Sequence, residues 1–134
     1  MTEKFSAEEK AAMRARVKEM KETQDGKKAI QDAFKKMTPP DRALAKKIDA
    51  LVRKAAPELM AKTWYGMPAH ANSDGKVVCY FKNSGKFKMR YSEFGFNQDA
   101  KLDAGAMWPI VYAVTKLSKG DEEKIAKLVK QAVK

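Results

Sequence analysis

The apolar positions of this chain follow a helical period near both ends and a strand period between them. Leu44, Ile48, Leu51, Val52 and Ala55 recur at i, i+4, i+7, i+8 and i+11, which gathers them on one stripe of an amphipathic helix. Thr38 stands ahead of them as a cap, Pro39 and Pro40 suit a first turn, and Asp41 faces the positive helix end, so a helix is predicted over about 40–56. Pro57 ends it, because the residue before a proline resists helical dihedrals. Ile125, Leu128, Val129 and Ala132 form a second stripe, opened by Ser118 at capping distance from Asp121. Nearer the amino terminus, Ser6 and Glu9 have capping-box spacing, and Met13, Val17 and Met20 give a thinner stripe. Asp25-Gly26 is expected to end that helix, leaving Ile30, Phe34 and Met37 on a short second one.

Between these helices the period falls to two. Lys76–Lys82 and Lys86–Tyr91 are rich in β-branched and aromatic residues and are joined by Asn83-Ser84-Gly85, which predicts a hairpin. A further strand is expected within Ile110–Leu117, beginning after Pro109. In "AKTWYGMPAH", residues 61–70, Gly66 tolerates positive φ, Met67 is pushed extended by Pro68, and Pro68 suits a strand end or an exposed edge. Gly66, Met67 and Pro68 are therefore read as a structural corner, a kink or bulge between two short strands. Trp64 and Tyr65 are expected on opposite sides of the sheet. Helices around a central antiparallel meander predict an α+β fold, a two-layer sandwich whose sheet packs against amino- and carboxy-terminal helices.

Composition narrows the class. A chain of 134 residues suits one core, and no apolar run approaches the roughly 18 residues that a membrane span needs. Charges from the third residue onward exclude a secretory signal, and a lone cysteine, Cys79, excludes an internal disulfide, so a cytoplasmic protein is expected. The net charge of +11 is spread along the chain, which favours polyanions weakly unless the fold gathers it on one face.

The segments "PELMAKTWYGMPAH", "GKVVCYF", "KFKMRY" and "AMWPIVYAVTKL" together resemble, in that order, the YdhG-like family. The resemblance covers roughly residues 38–134 and leaves 1–37 as a helical amino-terminal extension. It implies a frataxin-like two-layer α+β fold and a role in iron or small-ligand handling, and since the residues offer no catalytic constellation, a non-enzymatic domain is expected. Iron enters by this resemblance alone. No residue is carried over as an iron ligand, because Glu8, Glu9, Glu19 and Glu22 alternate with lysines and arginines rather than forming an acidic ridge.

Candidate chemistry is sparse. His70, Cys79 and Asp74 are the only mixed metal donors and lack any ligand spacing, so His70 is expected at a strand edge without a partner and Cys79 in the core. Alternation puts Val77, Cys79 and Phe81 on the helix-covered face, where a thiol is shielded. Ser73, Ser84 and Ser92 have no nucleophile-elbow context, and no glycine-rich phosphate loop exists. Two patterns are left. If residues 86–91 form a strand, Lys86, Lys88 and Arg90 point outward beside Tyr80 and Lys82, a basic stripe with an aromatic suited to nucleic acid. Trp64, Tyr65, Trp108 and Tyr112, with Phe94 and Phe96 nearby in sequence, supply residue types for a small-ligand groove or simply for a core. A third reading is a protein-interaction module using the amino-terminal helix, and no membrane partner is implied.

Overall fold

The computed structural model describes residues 6–134, and the side chains of residues 18–23 fall outside the description. The Met20 position of the first stripe therefore lies outside the described residues. Among the described residues, four helices and five strands follow in the order α1 (Ala7–Lys35), α2 (Pro39–Ala55), β1 (Met60–Trp64), β2 (Met67–Ala71), β3 (Val77–Lys82), α3 (Ser84–Phe87), β4 (Ser92–Phe96), β5 (Val111–Val114) and α4 (Lys119–Ala132). The strands form one antiparallel sheet in simple order β1-β2-β3-β4-β5. The fold is α+β, with helices flanking the sheet.

Helix α1 begins where expected, with Ser6 Oγ accepting the Glu9 amide at 3.1 Å. It does not stop at Asp25-Gly26. It runs through them for 29 residues and absorbs the predicted second piece. Gly26 is a contact residue rather than a breaker: a Cβ there would sit 1.9 Å from the Ala61 carbonyl oxygen, so only glycine lets α1 lie this close to β1. Arg42 then closes the helix, its Nε donating to Phe34 O (3.0 Å) and its Nη2 to Met37 O (2.9 Å) and Lys35 O (3.3 Å). Helix α2 matches its predicted span within a residue. Its Thr38 side chain makes no cap bond, and the first helical bond runs from Arg42 N to Thr38 O at 2.8 Å.

One core joins Ile30 and Phe34 of α1 and Met37 just beyond it to Ile48 and Val52 of α2, Cys79 and Phe81 of β3, Phe94 and Phe96 of β4, and Ile125 and Val129 of α4. Cross-strand pairing puts Ala61, His70, Cys79 and Phe96 on that helix-covered face. The predicted face of β3 holds for Cys79 and Phe81 but not for Val77. A register shift between His70 and Ala71 sets Val77 opposite Ala71, and Val78 joins the core cluster in its place.

The corner is a hairpin turn. Trp64 pairs with Met67, and Tyr65 and Gly66 between them both have positive φ (50° and 76°), the requirement of the two-residue type I′ turn. Pro68 sits inside β2, which has neighbours on both sides, not on an exposed edge. Its missing amide is tolerated because the β3 ladder starts one residue later, at Ala69 opposite Tyr80.

The largest correction concerns residues 86–91, which form no strand. Ser84–Phe87 is a single helical turn closed by Lys88 in the left-handed region (φ 52°, ψ 48°), and β3 pairs instead with β4 at 92–96. Asp41 of α2 imposes this. Its carboxylate accepts from Gly85 N (3.0 Å), Asn83 Nδ2 (3.3 Å) and Ser84 Oγ (3.3 Å), while Ser92 Oγ accepts from Ser84 N (3.0 Å). Asp41 lies more than 40 residues upstream, and its bonds override the local preference for a strand.

Candidate functional site

The turn between β1 and β2, the β3–β4 connection and the α1–α2 junction all lie at one end of the sheet. Chemistry-bearing side chains gather there. On the face away from the helices, Trp64 of β1 and Tyr80 of β3 stand with ring centroids 5.1 Å apart, and Tyr80 lies over Gly95 of β4. Tyr65, carried outward by the turn, meets Trp64 edge to face at 5.0 Å and is 81% exposed. Their expected placement on opposite sides of the sheet is therefore corrected: positive φ at Tyr65 breaks the alternation and swings its ring back toward Trp64.

From the other side the β3–β4 connection brings in cations. The ammonium of Lys86 lies beside Gly66, where a Cβ would come within 2.6 Å of its Nζ, and the same ammonium is 5.3 Å from the centroid of the Phe87 ring. Lys82 Nζ stands 4.9 Å from that ring. The chain of contacts closes: Tyr80 to Trp64, Trp64 to Tyr65, the Tyr65-Gly66 turn to Lys86, Lys86 and Lys82 to Phe87. Lys88 is exposed on the same connection, and exposed Arg90 lies over Tyr91 at 5.1 Å.

Two details set the electrostatics. Among the described residues, the cations paired with a carboxylate within 4 Å are Lys47, Arg53 and His70, none of them on this surface. Glu93, opposite Lys82 in the β3–β4 register, is the acid beside the platform. Burial first and the Glu93 charge second raise the Tyr80 pKa, so its ring stays a neutral phenol suited to stacking.

The sequence-derived residues thus divide. Tyr80, Lys82 and Lys86 meet Trp64 and Tyr65 in one patch, with Lys88 and Arg90 on its flank, but a helical turn rather than a strand assembles them. Trp108 and Tyr112 belong elsewhere. Both pack against the core, Trp108 also lining a cavity with Met107, and Tyr112 lying under Lys124 (5.1 Å) on the helix-covered face. Phe94 and Phe96 are core residues, edge to face at 5.0 Å. Phe87, pointed inward by the strand reading, is an exposed member of the patch.

His70 is not an unpartnered edge residue. It is buried in β2, and its Nε2 bonds Asp49 Oδ1 of α2 at 2.8 Å; the ionised carboxylate only accepts, so Nε2 carries the hydrogen. Arg53 Nε donates to the second oxygen at 3.0 Å. Burial alone would raise the Asp49 pKa; the His70 bond and charge, then Arg53, outweigh it and hold the carboxyl below its ordinary 3.8. Cys79, opposite His70, is sealed, and desolvation pushes its thiol up to about 12. Asp74 lies exposed in the β2–β3 turn, its amide held by Asn72 Oδ1 (3.0 Å). Among the described residues, no three His, Cys, Asp or Glu side chains come together as a metal site would require, and no helix is long and apolar enough to cross a membrane. Comparison of the chain with protein-family models, curated proteins and solved structures gives no match.

Proposed function

We propose that this protein is a binding domain for single-stranded nucleic acid, using the platform of Trp64, Tyr65, Tyr80 and Phe87 with Lys82 and Lys86. The observation that carries the reading is the meeting, at the Gly66 turn, of the Tyr80–Trp64–Tyr65 ring cluster with Phe87 and with Lys86 and Lys82, two ammonium groups that no carboxylate within 4 Å neutralises among the described residues. Rings of this kind stack bases without regard to sequence, at about 1–3 kcal/mol per base, while lysines track the phosphates. Tyr65 adds support. A tyrosine held at positive φ costs stability, and this one leaves 81% of its surface exposed with its ring edge to face against Trp64, as expected of a residue kept for contact with a ligand. The role proposed is binding, with no reaction.

The test is titration of the protein with a fluorescein-labelled dT nonamer, followed by anisotropy. If Lys82, Lys86, Lys88 and Arg90 each neutralise one phosphate, log K falls with log salt at a slope of about −3, roughly fiftyfold in affinity between 50 and 200 mM. Trp64→Ala should weaken binding about tenfold or more with the salt slope unchanged, and Lys86→Ala should reduce the slope by about one. Absence of binding at 50 mM salt would withdraw the proposal.

A further inference from the structure

Beside the platform lies a cavity of about 580 Å³, bounded by the last turns of α1, the α1–α2 junction, β1 with its turn, and the start of α3. It shares Lys86 and Gly66 with the platform, so the two adjoin at the β1–β2 turn. Its size is that of small-molecule sites. Ala33 and Met37 give it apolar wall, and its polar lining comprises Asp32, Lys36, Thr38, Thr63, Asn83 and Lys86.

Resting on the nucleic-acid reading, we infer that this cavity takes one extruded base and that the base is guanine. Asn83 supplies a fixed acceptor. It is 4% exposed and its Nδ2 is committed to Asp41 Oδ2. Among the described residues its carboxamide oxygen receives no hydrogen bond, and none of their buried side-chain oxygens lacks a partner, so that oxygen opens onto accessible space. Asp32, across the cavity on α1, supplies a second acceptor, and an ionised carboxylate can only accept. Two acceptors select a base with two donor nitrogens on one edge. Guanine, with N1–H and an N2 amino group, has them; thymine and uracil present one N–H between two carbonyls, and adenine and cytosine present a single amino nitrogen. Lys86 and the two threonine hydroxyls supply donors for guanine O6. Lys36 and Lys86 at the same site offset the Asp32 charge that would otherwise repel the phosphates.

The experiment compares a dT nonamer with the same nonamer carrying one central dG, and separately GMP with UMP by calorimetry. A matched pair of hydrogen bonds to a base edge is worth about 1–3 kcal/mol of discrimination, so the dG nonamer should bind roughly tenfold tighter or better. Replacing dG by deoxyinosine, which keeps N1–H and O6 but lacks the amino group, should remove most of that gain. Asp32→Asn turns one acceptor into a donor on an exposed position that does not threaten folding, and should bring the dG-to-dT affinity ratio to within twofold. Equal affinity for the two nonamers overturns the guanine pocket and leaves the platform standing. GMP preferred over UMP with neither nonamer bound supports the pocket and overturns the platform. Failure of both nonamers and of GMP overturns both, and an unchanged ratio in Asp32→Asn overturns the acceptor role of that residue.

Discussion

At the residue scale, burial of His70 and Asp49 is tolerable because each satisfies the other and Arg53 takes the remaining carboxylate oxygen. Removing one partner is costlier than the bond itself. Asp49→Ala leaves the His70 ring nitrogen orphaned in the core, and a loss of about 1–3 kcal/mol in a urea denaturation is expected. The same pair sets a pH dependence. Because the folded-state pKa of Asp49 lies below its unfolded value, this stabilisation is present in full above about pH 4 and is lost as pH falls through the folded value. The midpoint of denaturation should therefore drop below pH 4 in the wild type, with that component missing in Asp49→Asn. Cys79, by contrast, should be inert: a thiol pushed up to about 12 in a sealed core reacts with iodoacetamide only after unfolding, which mass spectrometry of native and denatured samples will read. The sealed cysteine was legible from alternation along β3. The His70–Asp49 pair was not, since Asp49 falls on α2 beside the apolar stripe, 21 residues away, and only the packing of α2 on the sheet reveals that it faces inward.

At the scale of elements, what was legible followed local periodicity or a cap. The stripe of α2, the Ser118 capping box of α4 and the β-rich run of β3 stand within a residue or so of their expected places, and β5 falls inside its predicted segment. The misplaced elements are those where a distant group decides. Gly26 reads as punctuation until Ala61 is seen against it, and Lys86–Tyr91 reads as a strand until Asp41 caps the turn before it. The platform inherits this. Its lysines and rings were visible in sequence, but the geometry joining them depends on a long-range carboxylate. Asp41→Ala should consequently cost about 2–3 kcal/mol through the donors of 83–85 that it abandons, and should weaken oligonucleotide binding even though Asp41 touches no ligand. The turn gives the opposite trade. Tyr65→Asn places a residue suited to positive φ at the first position of the type I′ turn, so it should stabilise the fold by about 1 kcal/mol while lowering affinity through loss of a stacking ring. A variant that lost both stability and affinity would show that Tyr65 serves the fold rather than a ligand.

At the scale of the whole molecule, the division of α1 decides how much of the chain the fold needs. Its described residues up to Val17 are exposed, including Met13 (47%) and Val17 (65%), whereas Ile30, Phe34 and Met37 at and beyond its far end are buried in the same core as α2, the sheet and α4. Gly26 lies directly against Ala61 of β1. Deleting residues 1–24 removes no described core side chain and should leave the melting transition within a few degrees of the full chain. Deleting residues 1–37 strips three large apolar groups, and by the usual cost of about 2–5 kcal/mol for each large-to-small core change, the loss approaches or exceeds the 5–15 kcal/mol that holds a typical domain together. That chain should show no cooperative transition by far-UV circular dichroism. The pair of truncations also separates the platform from the net charge of +11, which both reduce only modestly. Oligonucleotide affinity retained in the shorter deletion locates binding at the sheet end; affinity lost there, in a protein that still melts cooperatively, would move the nucleic-acid surface to the exposed half of α1 and away from Trp64.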